Sequence, residues 1–133
     1  MSRDPEKLRV FQRADALVEI VYESTRRFPA EERFGLTAQL RRGAVSICTN
    51  IVEGSSRRTE RDYVRFLELA RGSACELRYL LGLAARLKFL NEQQASKVGG
   101  EADHVCRALY ALIESLGRDR LSRQSPLASP SRA

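Results

Sequence analysis

The 133 residues contain one histidine, His104, and three cysteines, Cys48, Cys75 and Cys106, so nucleophilic or metal chemistry has few places to start. His104 and Cys106 stand two positions apart, about 200° around a helix axis, and therefore face away from each other. A zinc site needs four ligands at finger-like spacing, or three converging His, Cys or carboxylate groups, and the sequence has neither pattern. GxGxxG, GxxxxGK[ST], GxSxG and HExxH are all missing. The Glu-x-x-His spacing of di-iron bundles occurs once, at Glu101-Ala102-Asp103-His104, whereas such a centre needs it on two helices and the chain has a single histidine. With no general base, nucleophile or metal cluster converging, the sequence argues against an enzyme and implies no cofactor. The cysteines lack CxxC spacing, lie among apolar neighbours and read as reduced core residues.

What the chain does offer is positive charge. Its formal net charge is +6, and its basic residues are 20 Arg against only 3 Lys. The guanidinium fork suits phosphate or carboxylate, which points to an anionic partner, although a GC-rich genome would produce the same bias. Arg57, Arg58, Arg61 and Arg65 gather at one corner, with Arg41 and Arg42 earlier on the preceding segment. Such a cluster can contact phosphates. Arg61 and Arg65 are also interleaved with Glu60, Asp62 and Glu68, so local salt bridges are an equal alternative.

A second pattern is polar. Gln39, Gly43, Ser46, Asn50 and Glu53 are spaced four, three, four and three, so they share one helix face. The matching face of the next segment carries Leu69, Ser73, Glu76, Leu80 and Leu83. A turn at Arg58-Thr59 sets Glu76 level with Arg41 or Arg42, and an ion pair between the two helices is one expectation. Solvent-facing side chains with small local interactions are the other. Gly54 is a candidate close-packing point or helix terminus, and Glu53 a candidate acceptor for N–H groups at the start of the third helix.

Four segments must position these groups. Each has apolar residues at alternating spacings of three and four, the mark of a helix with one buried stripe. The first runs from about Glu6 to Arg27 and stops before Phe28-Pro29. The second runs from Leu36 to about Ser56, with Leu36, Leu40, Ala44, Ile47 and Ile51 inward and Val45, Cys48 and Val52 widening the stripe. Thr59 caps the third, which continues to Leu87; Asn91 and Gln94 form a capping pair for the fourth, and Gly117 is a natural stop. No strand pattern occurs, and the connections are short. The expectation is an all-α, antiparallel up-down-up-down four-helix bundle over residues 1–117. Residues 118–133, rich in Arg, Ser and Pro, read as a disordered tail. Its Arg118, Arg120, Arg123 and Arg132 form either a weak polybasic arm or a solvated end. No apolar run approaches the ~18 residues of a membrane span, and the N-terminus lacks a signal-peptide core, so the expected compartment is the cytoplasm.

The run Leu36-Thr37-Ala38-Gln39-Leu40-Arg41-Arg42, then Val45-Ser46-Ile47, Asn50-Ile51-Val52-Glu53-Gly54, and Phe66-Leu67-x-x-Ala70-x-Gly72-Ser73-x-x-Glu76-Leu77 resembles the four-helix-bundle proteins encoded by intervening sequences of bacterial 23S rRNA genes. The likeness covers about Leu8 to Leu116. That family is similar in fold to the accessory proteins of diversity-generating retroelements, which assemble as pentamers and bind nucleic acid together with a reverse transcriptase. The resemblance implies a homo-oligomer, as a pentameric ring, with RNA or DNA as a partner and a reverse transcriptase or other protein as another. It marks Gln39, Asn50, Glu53, Gly54, Gly72, Ser73 and Glu76 as family-pattern residues with structural or interface roles. It implies no catalysis.

Overall fold

The computed structural model describes residues 3–128. Four helices follow one another, α1 (Arg9–Ser24), α2 (Leu36–Ser55), α3 (Glu60–Arg86) and α4 (Glu92–Ala128), with short 3-10 turns at Pro5–Lys7 and Ala30–Glu32. No strand occurs among the described residues.

The helix ends have local chemical causes. Thr59 Oγ1 accepts the Asp62 N–H at 3.1 Å and starts α3. Asn91 and Gln94 form a reciprocal box at the start of α4: the Gln94 N–H donates to Asn91 Oδ1 at 2.7 Å, and the Asn91 N–H donates to Gln94 Oε1 at 3.0 Å. α3 gives way through Lys88, whose φ of 68° is left-handed, while the Phe89 N–H closes back onto the Ala84 carbonyl at 2.9 Å. That turn brings Phe89 against Phe28, ring centroids 5.4 Å apart, across one end of the bundle.

Contacts between neighbouring helices run in opposite sequence directions, which makes every neighbouring pair antiparallel. Gly43 meets Leu77, Ser46 meets Ser73 and Gly54 meets Phe66 between α2 and α3. Arg71 meets Tyr110 and Arg78 meets Asp103 between α3 and α4. Arg41 reaches Tyr22 and Thr25 while Phe11, earlier on α1, shares a groove with Val52, later on α2, so these two also run in opposite directions, and Arg13 pairs with Glu101 to close α1 onto α4. The bundle is therefore up-down-up-down, and its centre is filled by Leu17, Leu40, Ile47, Leu67, Leu77 and Leu109, all fully buried.

Two expectations change. Val45 and Val52 do not widen the buried stripe of α2 but stand exposed, because α2 packs against α1 and α3 along Leu40, Ala44, Ile47 and Ile51 and leaves their side of the helix uncovered. Helix α4 also runs past the stop expected at Gly117 as far as Ala128. None of the described glycines takes a positive φ, so Gly117 forms no left-handed cap; an internal glycine costs a helix only about 1 kcal/mol. Residues 129–133 of the expected tail, including Arg132, lie outside the described residues.

Candidate nucleic-acid interface

The six candidate arginines fall into two groups. Arg41 and Arg42 sit near the start of α2, whereas Arg57, Arg58, Arg61 and Arg65 surround the turn beyond its end, roughly 20 Å away along the axis at about 1.5 Å per residue.

At the turn the guanidinium groups are mounted on aromatic rings. Arg65 lies 4.6 Å and Arg57 5.4 Å from the centroid of Phe66. Arg3, which sequence reasoning missed, lies 4.8 Å from the centroid of Tyr63, and its Nη2 donates to the Arg57 carbonyl at 2.9 Å. Contacts of this kind hold a cation at a modest gain, about 0.5–1 kcal/mol where exposed, and leave its outward N–H groups available. The sequence signal for the mount is the pair Tyr63 and Phe66 in the first turns of α3, which periodicity alone reads as core. Arg65 pairs with Asp62 at 3.8 Å with both side chains at least half exposed, a contact of marginal value. Arg57, Arg58 and Arg61 enter no ion pair among the described residues. Beside them Arg3, Lys7 and Arg58 share a cleft of about 680 Å³ with Asp4, Glu60 and Asp119, so the cleft itself is mixed in charge while the outer corner is cationic.

Arg41 is built into the other end. Its Nε donates to Thr25 Oγ1 at 2.9 Å, its Nη2 reaches the Tyr22 carbonyl at 3.4 Å, and its plane lies 4.5 Å from the Tyr22 centroid. Arg41 thus ties α2 to α1. The ion pair expected between Glu76 and Arg41 or Arg42 does not form: Gly43 and Ser46 stand across from this part of α3, and Arg42, although it lines one groove with the exposed Glu76, enters no ion pair among the described residues. The register is shifted because the turn is centred about one residue later than Arg58-Thr59.

The polar faces of α2 and α3 do meet. Ser46 and Ser73 share a hydrogen bond of 2.9 Å, and Asn50 Nδ2 donates to the Ser46 carbonyl at 2.9 Å and to Ser46 Oγ at 3.1 Å. Above them a groove of about 410 Å³ is lined by Gln39, Arg42, Ser46, Ser73 and Glu76. Glu53 does not cap α3; it is exposed, and Thr59 does the capping. Gly54 is buried, and a Cβ there would lie 2.8 Å from Phe66 Cβ and 3.3 Å from Tyr63 Cδ1. Gly72 is the opposite case, exposed, with nothing within 4 Å of a Cβ, so the bundle itself does not require glycine there.

His104 is exposed and Cys106 buried, on opposite sides of α4. No three His, Cys, Asp or Glu side chains converge on a metal-sized site among the described residues, and no described helix is long and apolar enough to cross a membrane. Burial pushes the Cys48 and Cys106 thiols up from the usual 9.0 to about 11. Both groups hold their protons more tightly folded than unfolded. They therefore add stability that is complete below about pH 9 and is lost as the pH climbs through about 11. The urea midpoint should fall across that window, and fall less in Cys48→Ala. At neutral pH a maleimide should label the partly exposed Cys75 well before the other two, as mass spectrometry of peptides would show; equal labelling would contradict the burial.

The model of the 23S rRNA-intervening sequence protein family matches residues 6–111. A solved relative in fold is a crystal structure, at 1.70 Å resolution, of a protein of unknown function from the S23 ribosomal protein family of Bacteroides thetaiotaomicron VPI-5482. It superposes with a TM-score of 0.71 at 20% identity, over 78% of this chain and 97% of that one, a likeness of fold. No curated protein matches the chain in sequence.

Proposed function

This chain belongs to the 23S rRNA-intervening sequence protein family, and from that premise we propose that it acts without catalysis, as a cytoplasmic nucleic-acid-binding bundle whose contact surface is the arginine corner at the α2–α3 turn. The observation that carries this reading is that Arg57, Arg58 and Arg61 have no ion-pair partner among the described residues, while Arg57 and its neighbour Arg65 are held over Phe66. Unpaired, pre-positioned guanidinium groups on a chain of net charge +6 suit the closely spaced phosphates of RNA or DNA.

Fluorescence anisotropy with an RNA hairpin and a DNA duplex, titrated across salt, tests it. For the duplex, log affinity should fall with log salt at about 0.9 per phosphate engaged, hence with a slope near −3 for three free arginines. Affinity no better than ~10⁻⁴ M at physiological salt is ordinary non-specific association and would remove the reading.

Assembly is the second reading, favoured by the outer face of α3. Leu69 is 48% exposed there, in line with the open Gly72 and the exposed Glu76. Copies of the chain associating through this face would form a homo-oligomer, a pentameric ring in the family analogy, able to carry a reverse transcriptase or another protein. Light scattering should then give a mass near five times the 15.0 kDa of one chain, and Glu76→Ala should lower it. A monomeric wild type would count against assembly and leave the arginine corner untouched.

A further inference from the structure

The groove between α1 and α2 lies on a different face from the arginine corner. It encloses about 860 Å³ and is lined by Tyr22, Arg33, Phe34, Arg41, Arg42 and Val45, together with small and hydroxyl side chains; no carboxylate lines it. Two of its aromatic rings are exposed, Phe34 at 86% and Tyr22 at 41%, although apolar surface of this size is favoured inside. Each carries a guanidinium, Arg33 at 5.3 Å from the Phe34 centroid and Arg41 at 4.5 Å from that of Tyr22. The second stack is anchored from below. Thr25, only 2% exposed, donates its hydroxyl to the Val21 carbonyl at 2.9 Å and accepts Arg41 Nε at 2.9 Å, so Tyr22 and Arg41 keep their places without a ligand. Arg33 and Arg42 enter no ion pair among the described residues.

Exposed aromatic faces interleaved with unpaired arginines are what an unpaired nucleotide strand recognises, since every base offers a π-face and every linkage a negative charge. An acidic protein segment would match the arginines but give the open ring faces nothing flat to stack on. We propose that this groove is a second nucleic-acid site, specific for single-stranded segments, in which Phe34 and Tyr22 stack bases while Arg33 and Arg42 hold the adjoining phosphates. The inference rests on the nucleic-acid reading above and adds to it the kind of strand and a second face. With the two sites roughly 20 Å apart along α2, a hairpin stem at the corner can extend its single-stranded flank into the groove.

The test uses the full chain and three labelled probes: a single-stranded RNA, an abasic strand of the same length, and a blunt RNA hairpin. Phe34→Ala removes a side chain that holds nothing in the core and should leave the melting temperature unchanged. It should weaken the single strand about tenfold, leave the hairpin unchanged and leave the already weaker abasic strand unchanged. Phe34→Trp should restore single-strand binding. Undiminished single-strand affinity in Phe34→Ala, with the hairpin still bound, would overturn this site alone. A lower oligomer mass in Phe34→Ala with unaltered single-strand affinity would also overturn it and assign the groove to a second copy of the chain. Failure of wild type to bind hairpin and strand alike would overturn both this site and the function it rests on.

Discussion

Gly54→Val should lower the stability of the chain by about 3 kcal/mol, the upper part of the range for overpacking a tight contact. At this chain length that is a fall of roughly 10 °C in melting temperature. The helices α2 and α3 are in tight contact here, beside the turn that joins them. A Cβ on Gly54 would sit 2.8 Å from Phe66 Cβ, an atom fixed to its backbone, with Tyr63 Cδ1 at 3.3 Å and the Tyr63 carbonyl at 3.4 Å. Nothing at that point can swing away, so the helices must separate, and separation disturbs the rings on which Arg3, Arg57 and Arg65 rest. Gly54→Ala should cost less, about 1–2 kcal/mol, because alanine recovers up to about 1 kcal/mol of helix propensity. Gly43→Ala is the control. Its Cβ would lie 3.8 Å from Leu77 Cδ1, an ordinary contact, so it should be neutral or stabilise by up to about 1 kcal/mol. Urea melts of the three variants decide the matter, and equal effects at positions 43 and 54 would refute the close-packing argument.

Arg57→Glu combined with Arg58→Glu should reduce affinity for an RNA hairpin on the order of 100-fold at physiological salt and make the duplex salt slope shallower by about two. Two phosphate contacts vanish, and two negative charges face the backbone in their place. The fold should lose little. Arg58 is exposed, and Arg57 contributes one cation–π contact worth about 0.5–1 kcal/mol together with a weak 3.5 Å contact to Ser56 Oγ. Circular dichroism and light scattering should therefore match wild type. Unchanged affinity in a folded double variant would move binding away from this corner, and Arg41→Ala is no substitute test because Arg41 bonds the buried Thr25.

The sequence by itself determined the helices and most of their inward faces, although on α1 it is Val10 and Leu17 that are buried while Phe11 and Val18 are only partly so. Spacing of three and four decides which side of a helix can be buried, and Leu40, Ile47, Leu67, Leu77 and Leu109 are fully buried on the stripes that spacing defines. Caps are equally local, because Thr59 and the Asn91–Gln94 pair act on N–H groups within three residues of themselves. The short connections made the neighbours antiparallel. Only the tertiary structure decided partners across helices. A shift of the turn by about one residue exchanges the residue facing Glu76, and Arg41 turns to Thr25 and Tyr22, groups remote in sequence, instead of to α3. The same holds for exposure. Val45 and Val52 carry a core-like pattern but stand uncovered, because a helix in a four-helix ring is covered on two sides only, and Phe34, in the turn before α2, stands open beside Tyr22. Local periodicity records which residues can be buried; which of them are buried, and which cations are left without a carboxylate, depends on how neighbouring helices rotate and slide to fill space.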